Sequence, residues 1–139
     1  VRHQLHLRGQ YDEQSKQKVY DHLQEEMEEK LKNGKDVILD GTFHKREKRE
    51  QFRAAARQLN QPVSLIELRA GERVIKKRLK DEREFSEADY KVYKQIRDEF
   101  EEPVNTCLKL RSNNGNIDEL VTISKNYING SRTGTYVDR

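Results

Sequence analysis

Asp40, Gly41 and Thr42 follow directly on a short apolar run, Val37-Ile38-Leu39, and precede a burst of charge, HKREKR, at 44–49. A carboxylate at the end of a buried strand is poorly hydrated. It needs a cation, hydrogen-bond donors or a metal-held water. Mg²⁺ bound to phosphates commonly takes one or two such carboxylates, often through water. The Thr42 hydroxyl would stand close by to position a water or a substrate. Two readings of Asp40 stay open: a carboxylate linked to a metal, or a cap that accepts backbone N–H bonds from the next helix. His44, Arg46 and Arg49 give the basic cluster the means to hold a substrate phosphate or a nucleic-acid backbone, because helix N-termini attract anions. The alternative is an exposed helix start.

Arg78 and Arg83 form a second candidate group. Guanidinium groups stabilise the charge that spreads over a transferring phosphoryl. Otherwise they pair with Asp81, Glu82 and Glu84 on a solvated face. A third group is Arg111-Ser112-Asn113-Asn114. His3, His6, His22 and His44 have no metal-ligand spacing. No GxSxG or Ser-His-Asp pattern supports acyl transfer. Cys107 is the sole cysteine, which excludes an intrachain disulfide and a CxxC zinc site.

These groups need elements to position them. Val19, Leu23, Met27 and Leu31 recur every four residues, so 15–34 reads as an amphipathic helix, capped by Asp12 or Ser15 and stopped by Gly34. The continuous apolar run in 36–43 reads as a strand covered on both faces. Residues 44–60 read as a helix with Phe52, Ala55, Ala56 and Leu59 inward, and 63–69 as a strand. Residues 71–83 and 86–103 read as helices, the second opened by a Ser86–Asp89 capping box and ended by Pro103. A strand at 106–112 and a helix at 117–128, capped by Asn116 and stopped by Gly130, complete the order. Strands separated by helices imply parallel pairing with right-handed crossovers. Ligands in such a sheet sit beyond the carboxyl ends of its strands, where Asp40, Arg78 and Arg111 fall. Residues 131–139 lack a pattern and are expected to be a mobile tail.

The 139 residues are enough for one domain. Only 32% are apolar and 38% are charged, against ~25% charged on average, so the apolar supply is thin. The net charge of +3 argues against a general polyanion binder, and any anion site must come from local clustering. No stretch approaches the ~20 apolar residues that span a bilayer, and a reducing cytoplasmic setting fits.

Taken in order, VILDGTF, a basic helix, a strand, ERVIKKRL, SEADYKVY and FEEP resemble the P-loop kinases of the predicted-kinase, zeta-toxin and polynucleotide-kinase-like group. The resemblance runs from Val1 to about Ile128. It implies a three-layer α/β fold, a parallel sheet with flanking helices, over 1–130, with a lid near 71–90. It implies ATP and Mg²⁺ as cofactors, Asp40 as the Walker-B-like carboxylate near Mg²⁺, and Thr42 facing the acceptor. Arg78 and Arg83 would be lid arginines over the ATP phosphates, with Arg111 also on the cofactor side. Arg2 would hold the acceptor.

The family's GxxxxGK[ST] loop does not occur in the sequence, although that loop cradles the triphosphate. The expectation is therefore a truncated domain, about the carboxyl-terminal three quarters, without its first strand and P-loop. Its exposed strand edges would then be completed by the missing segment or by self-association. The expected activity is ATP-dependent transfer of the γ-phosphoryl to a hydroxyl of a small molecule or a nucleic-acid end. The alternatives are a non-catalytic kinase-like remnant that holds an anionic partner, and a mostly helical scaffold.

Overall fold

The structure, a computed structural model, describes residues 13–82, 87–104, 106–113 and 115–133. In chain order the elements are α1 (Glu13–Lys32), α2 (Arg46–Gln58), β1 (Ile66–Ala70), α3 (Glu72–Glu82), α4 (Glu87–Asp98), β2 (Leu108–Ser112) and α5 (Ile117–Thr133). Two compact units divide the chain: Val1–Gly41 with Glu50–Gln61, and Thr42–Arg49 with Pro62–Arg139.

In the first unit the apolar stripe of α1 forms as the spacing predicts, with Met27 buried and its neighbours half-buried. Phe52, Ala55 and Ala56 of α2 are buried. The Tyr20 ring meets Phe52 edge-on at 6.2 Å between centroids, a favoured aromatic geometry. Gln51 donates to Gln24 at 2.8 Å. Both helices end in the same way. Gly34 has φ +70°, the Gly34 amide bonds to the Leu31 carbonyl and the Lys35 amide to the Lys30 carbonyl. At the end of α2, Asn60 has φ +54°, with Asn60 bonded to Arg57 and Gln61 to Ala56. A left-handed residue just past the helix satisfies the last carbonyls in this arrangement.

The second unit holds the sheet. β1 and β2 run parallel in the register Ile66↔Leu108 to Ala70↔Ser112. Along β2 the side chains alternate, Leu110 buried and Lys109 and Arg111 exposed, as one covered face requires. Helix α5 packs on β2, and its Tyr127 is buried. Helices α3 and α4 also contact each other.

Three expectations need correction. Residues 36–43 form no strand, and Ile38 is 88% exposed. A strand exists only when a neighbour takes its ladder hydrogen bonds, and no described strand pairs with this segment. Helix α4 ends at Asp98 rather than at Pro103. The Glu101 amide turns away to donate to the His44 carbonyl at 2.9 Å, so the backbone leaves the helix before the proline. Helix α5 passes through Gly130 to Thr133; a glycine inside a helix costs only about 1 kcal/mol, which flanking turns can absorb. The proposed caps Asp12 and Ser86 lie outside the described residues.

Candidate functional site

The carboxyl ends of β1 and β2 are the place to look, because every carbonyl and side chain leaving a parallel sheet there faces the loops. Arg78 reaches this end from α3 and donates to the Ser112 hydroxyl at 2.9 Å. Beyond Ser112 the chain is closed by amide side chains. Asn116 Oδ1 accepts from the Asn113 amide at 2.9 Å, and Asn116 Nδ2 donates to the Arg111 carbonyl at 3.0 Å. Asn113 Oδ1 accepts from the Gly115 amide at 2.8 Å. Asn116 was expected to cap α5. It holds the cap position, its carbonyl receiving the Leu120 amide, while its side chain bonds the loop before the helix. Arg78 and Arg111, both exposed, stand beside this turn.

The stretch before α2 is built differently. Phe43 has φ +36°, an unfavourable conformation for a bulky L-residue that costs about 1–3 kcal/mol. What holds it is Arg49, whose side chain is buried. Arg49 Nη1 donates to the carbonyls of Phe43 at 2.6 Å and His44 at 3.2 Å. Its Nη2 donates to the Glu101 carbonyl. Its guanidinium also lies 5.5 Å from the Phe100 ring centroid, and that of Arg69 lies 5.7 Å from the same ring. Phe100 therefore carries two guanidinium groups, an attraction between cation and aromatic quadrupole.

The acidic run Glu99–Glu102 supplies the anions here. The Glu101 carboxylate accepts from the Arg46 amide, at the first residue of α2, at 2.6 Å. That bond, helped by Lys45, Arg46 and Arg49, holds its carboxyl below the ordinary glutamate value. Glu99 lies 3.4 Å from Lys45 and 3.7 Å from His44, and its carboxyl is lowered by Gln95 first and then by Lys45. Glu102 bridges Lys109 at 3.0 Å and Arg69, which together lower it.

Each predicted residue can now be placed. Thr42, His44, Arg46, Arg49, Arg78 and Arg111 belong to the second unit, and Asp40 belongs to the first. Arg2 and Arg83 lie outside the described residues. Asp40 is exposed, so the expected desolvation at the end of a buried strand is not what acts on it. Arg46 gives its amide to the Glu101 carboxylate, and Arg49 uses its fork on the carbonyls of Phe43, His44 and Glu101. The residues missed by sequence reasoning were Glu101 and Phe100. Their signal was present as FEEP, an acidic and aromatic cluster complementary to HKREKR.

A parallel strand pair joined through helices defines a mixed α/β protein. A family model described as an AAA domain matches residues 1–103, and the chain belongs to that family. The family is a P-loop NTPase-like group whose general property is nucleotide binding. No curated protein and no solved structure matches the chain. No helix among the described residues is long and apolar enough to cross a membrane.

Proposed function

We propose that this chain is a kinase-like phosphotransferase domain, which moves the γ-phosphoryl of ATP to a hydroxyl of a small molecule or a nucleic-acid end. The observation that carries the reading is Arg78, an exposed guanidinium tied to Ser112 at the carboxyl end of a parallel pair. In that position it would meet phosphate oxygens with a planar, permanently charged fork, and Arg111 would add a second cation.

The residues fit Mg²⁺·ATP in part. No group of three or more His, Cys, Asp or Glu gathers among the described residues. Mg²⁺ in phosphate sites, however, rests on few carboxylates and keeps waters, which Asp40 can serve. Bound ATP would supply the phosphoryl, with its charge offset by the metal. Thr42 would orient the acceptor, and Arg2 and Arg83 would complete the grip on acceptor and phosphates.

The test is phosphoryl transfer from ATP to a 5′-hydroxyl oligonucleotide and to a simple polyol, with and without Mg²⁺. Asp40→Asn should remove the Mg²⁺-dependent turnover, and Arg78→Ala should lower it by roughly 100-fold. Turnover that is unchanged in Asp40→Asn, or absent from every acceptor, would sink the assignment.

A further inference from the structure

Away from the rim of the sheet, α3 and α4 contact each other and carry a second group of cations. Arg73, Lys77 and Lys80 recur at helical spacing along α3 and, with Glu72 and Lys76, line a shallow open depression of about 500 Å³. Arg78 turns instead to Ser112. On α4, Tyr90 and Tyr93 stand with ring centroids 5.8 Å apart and planes 30° from parallel. Both residues are half-buried. Cations surround them: Lys76 Nζ lies 5.0 Å and Lys94 Nζ 5.3 Å from the Tyr90 centroid, and the Arg97 guanidinium lies 5.8 Å from that of Tyr93.

Some of this charge is answered within the protein. Lys76 pairs with Glu72 at 3.2 Å, and Arg97 with Asp98 at 3.0 Å. The Tyr90 hydroxyl donates to Glu72, which fixes the ring in place. Among the described residues, Arg73, Lys77, Lys80, Lys91 and Lys94 meet no carboxylate within ion-pair distance.

We propose that the α3–α4 face binds single-stranded nucleic acid, with Tyr90 and Tyr93 as the platform for bases and Arg73, Lys77, Lys80 and Lys94 along the phosphates. Two features together select this ligand. Unanswered cations alone fit any polyanion. Rings beside those cations, with unpaired Lys94 reaching Tyr90 itself, fit a polyanion that also presents flat π-faces, which a single strand does and a duplex does not. A membrane surface would require an apolar stripe. On these two helices Val92 is the exposed large apolar side chain among the described residues. An acidic peptide would use the charges and leave the rings idle. The near-neutral net charge agrees with a local patch rather than a general polyanion binder. This surface stands whether or not the chain transfers phosphate.

The experiment is fluorescence anisotropy of a labelled oligothymidylate with the full chain across a salt series. Labelled oligoglutamate and phosphatidylserine vesicles are run beside it. The expected result is preferential binding of the oligothymidylate that weakens steeply with salt. Tyr93→Leu should weaken it roughly tenfold, Tyr93→Trp should retain it, and the pair Arg73→Glu with Lys77→Glu should abolish it at moderate salt. Lys30→Glu on α1 should bind as the parent does. A circular dichroism melt of each variant separates lost binding from lost fold. No binding at low salt, or equal binding of oligoglutamate with Tyr93→Leu unaffected, overturns the proposal. So does binding confined to the vesicles.

Discussion

The Arg49 guanidinium donates to the main-chain carbonyl of Glu101, fifty-two residues further along the chain, while the Glu101 carboxylate accepts from the Arg46 amide three residues before Arg49. Two segments remote in sequence are thereby locked reciprocally, each using a backbone group and a side chain of the other. The lock sits beside Phe43, whose unfavourable backbone Arg49 also holds.

Removing the fork should therefore be costly. Arg49→Ala leaves the carbonyls of Phe43, His44 and Glu101 without their charged donor. The expected loss is about 3 kcal/mol, since bonds to charged groups are worth more than neutral ones and buried acceptors left unmet add a penalty. Arg49→Lys should recover only part, because an ammonium cannot span divergent carbonyls. Urea unfolding of the three proteins checks the order; a midpoint in Arg49→Ala equal to that of the parent would refute the lock.

Acid should open the same region. Glu99, Glu101 and Glu102 all titrate below the ordinary glutamate value in the folded chain, through Gln95, the Arg46 amide and Lys109 respectively as the largest causes. For a carboxyl lowered on folding, the contribution is fully present above its unfolded value, about 4.3. It is lost as pH falls through the folded value. Thermal midpoints should therefore hold from neutral pH to about 5 and then drop. In Glu101→Gln the neutral-pH midpoint should be lower and the drop shallower. An equally steep drop in that variant would exclude Glu101 as a contributor.

How far the sequence revealed this arrangement depended on the range of the interaction. The stripe of α1, the inward face Phe52-Ala55-Ala56 and the stop at Gly34 are local periodicities and turn chemistry, and all three appear as read. The strands read at 63–69 and 106–112 also form, shifted to 66–70 and shortened to 108–112. The segment 36–43 misled because a continuous apolar run carries strand propensity, while strand formation needs a partner supplied from elsewhere. The Arg49–Glu101 lock was hidden for the related reason that complementary charge clusters fifty residues apart do not declare their pairing. HKREKR was read toward an external anion, and the chain provides Glu99 and Glu101 itself. Arg78 donates to Ser112 at the carboxyl end of β2, a contact that no local spacing in the sequence declares.

Helix termination gives a cleaner energetic test. Gly34 sits at φ +70°, and a Cβ added there would meet nothing within 4 Å. Any penalty for Gly34→Ala is therefore conformational rather than steric contact with neighbours. An L-residue in the left-handed region costs about 1–2 kcal/mol relative to glycine. The expected result is a loss of that size, with Asn60→Gly at the end of α2 gaining a few tenths or more, since asparagine tolerates the same conformation less well than glycine. Chemical denaturation of both variants checks the opposite signs.

Cys107 should be a slow thiol. Burial raises its pKa first, and the nearby Glu67 carboxylate adds to the rise. Glu67 itself is largely covered and accepts from Arg69, so its negative charge stays close to the sulfur. Because the thiolate is the nucleophile, a raised pKa and partial burial both reduce reaction at neutral pH. Alkylation by iodoacetamide should run well below the rate of the urea-unfolded chain and should accelerate at higher pH than in that unfolded chain. Glu67→Gln should shift that rise to lower pH with little change in fold, as it removes the charge while keeping the shape. A rate in the folded chain equal to that of the unfolded one would show that neither burial nor Glu67 restrains the sulfur.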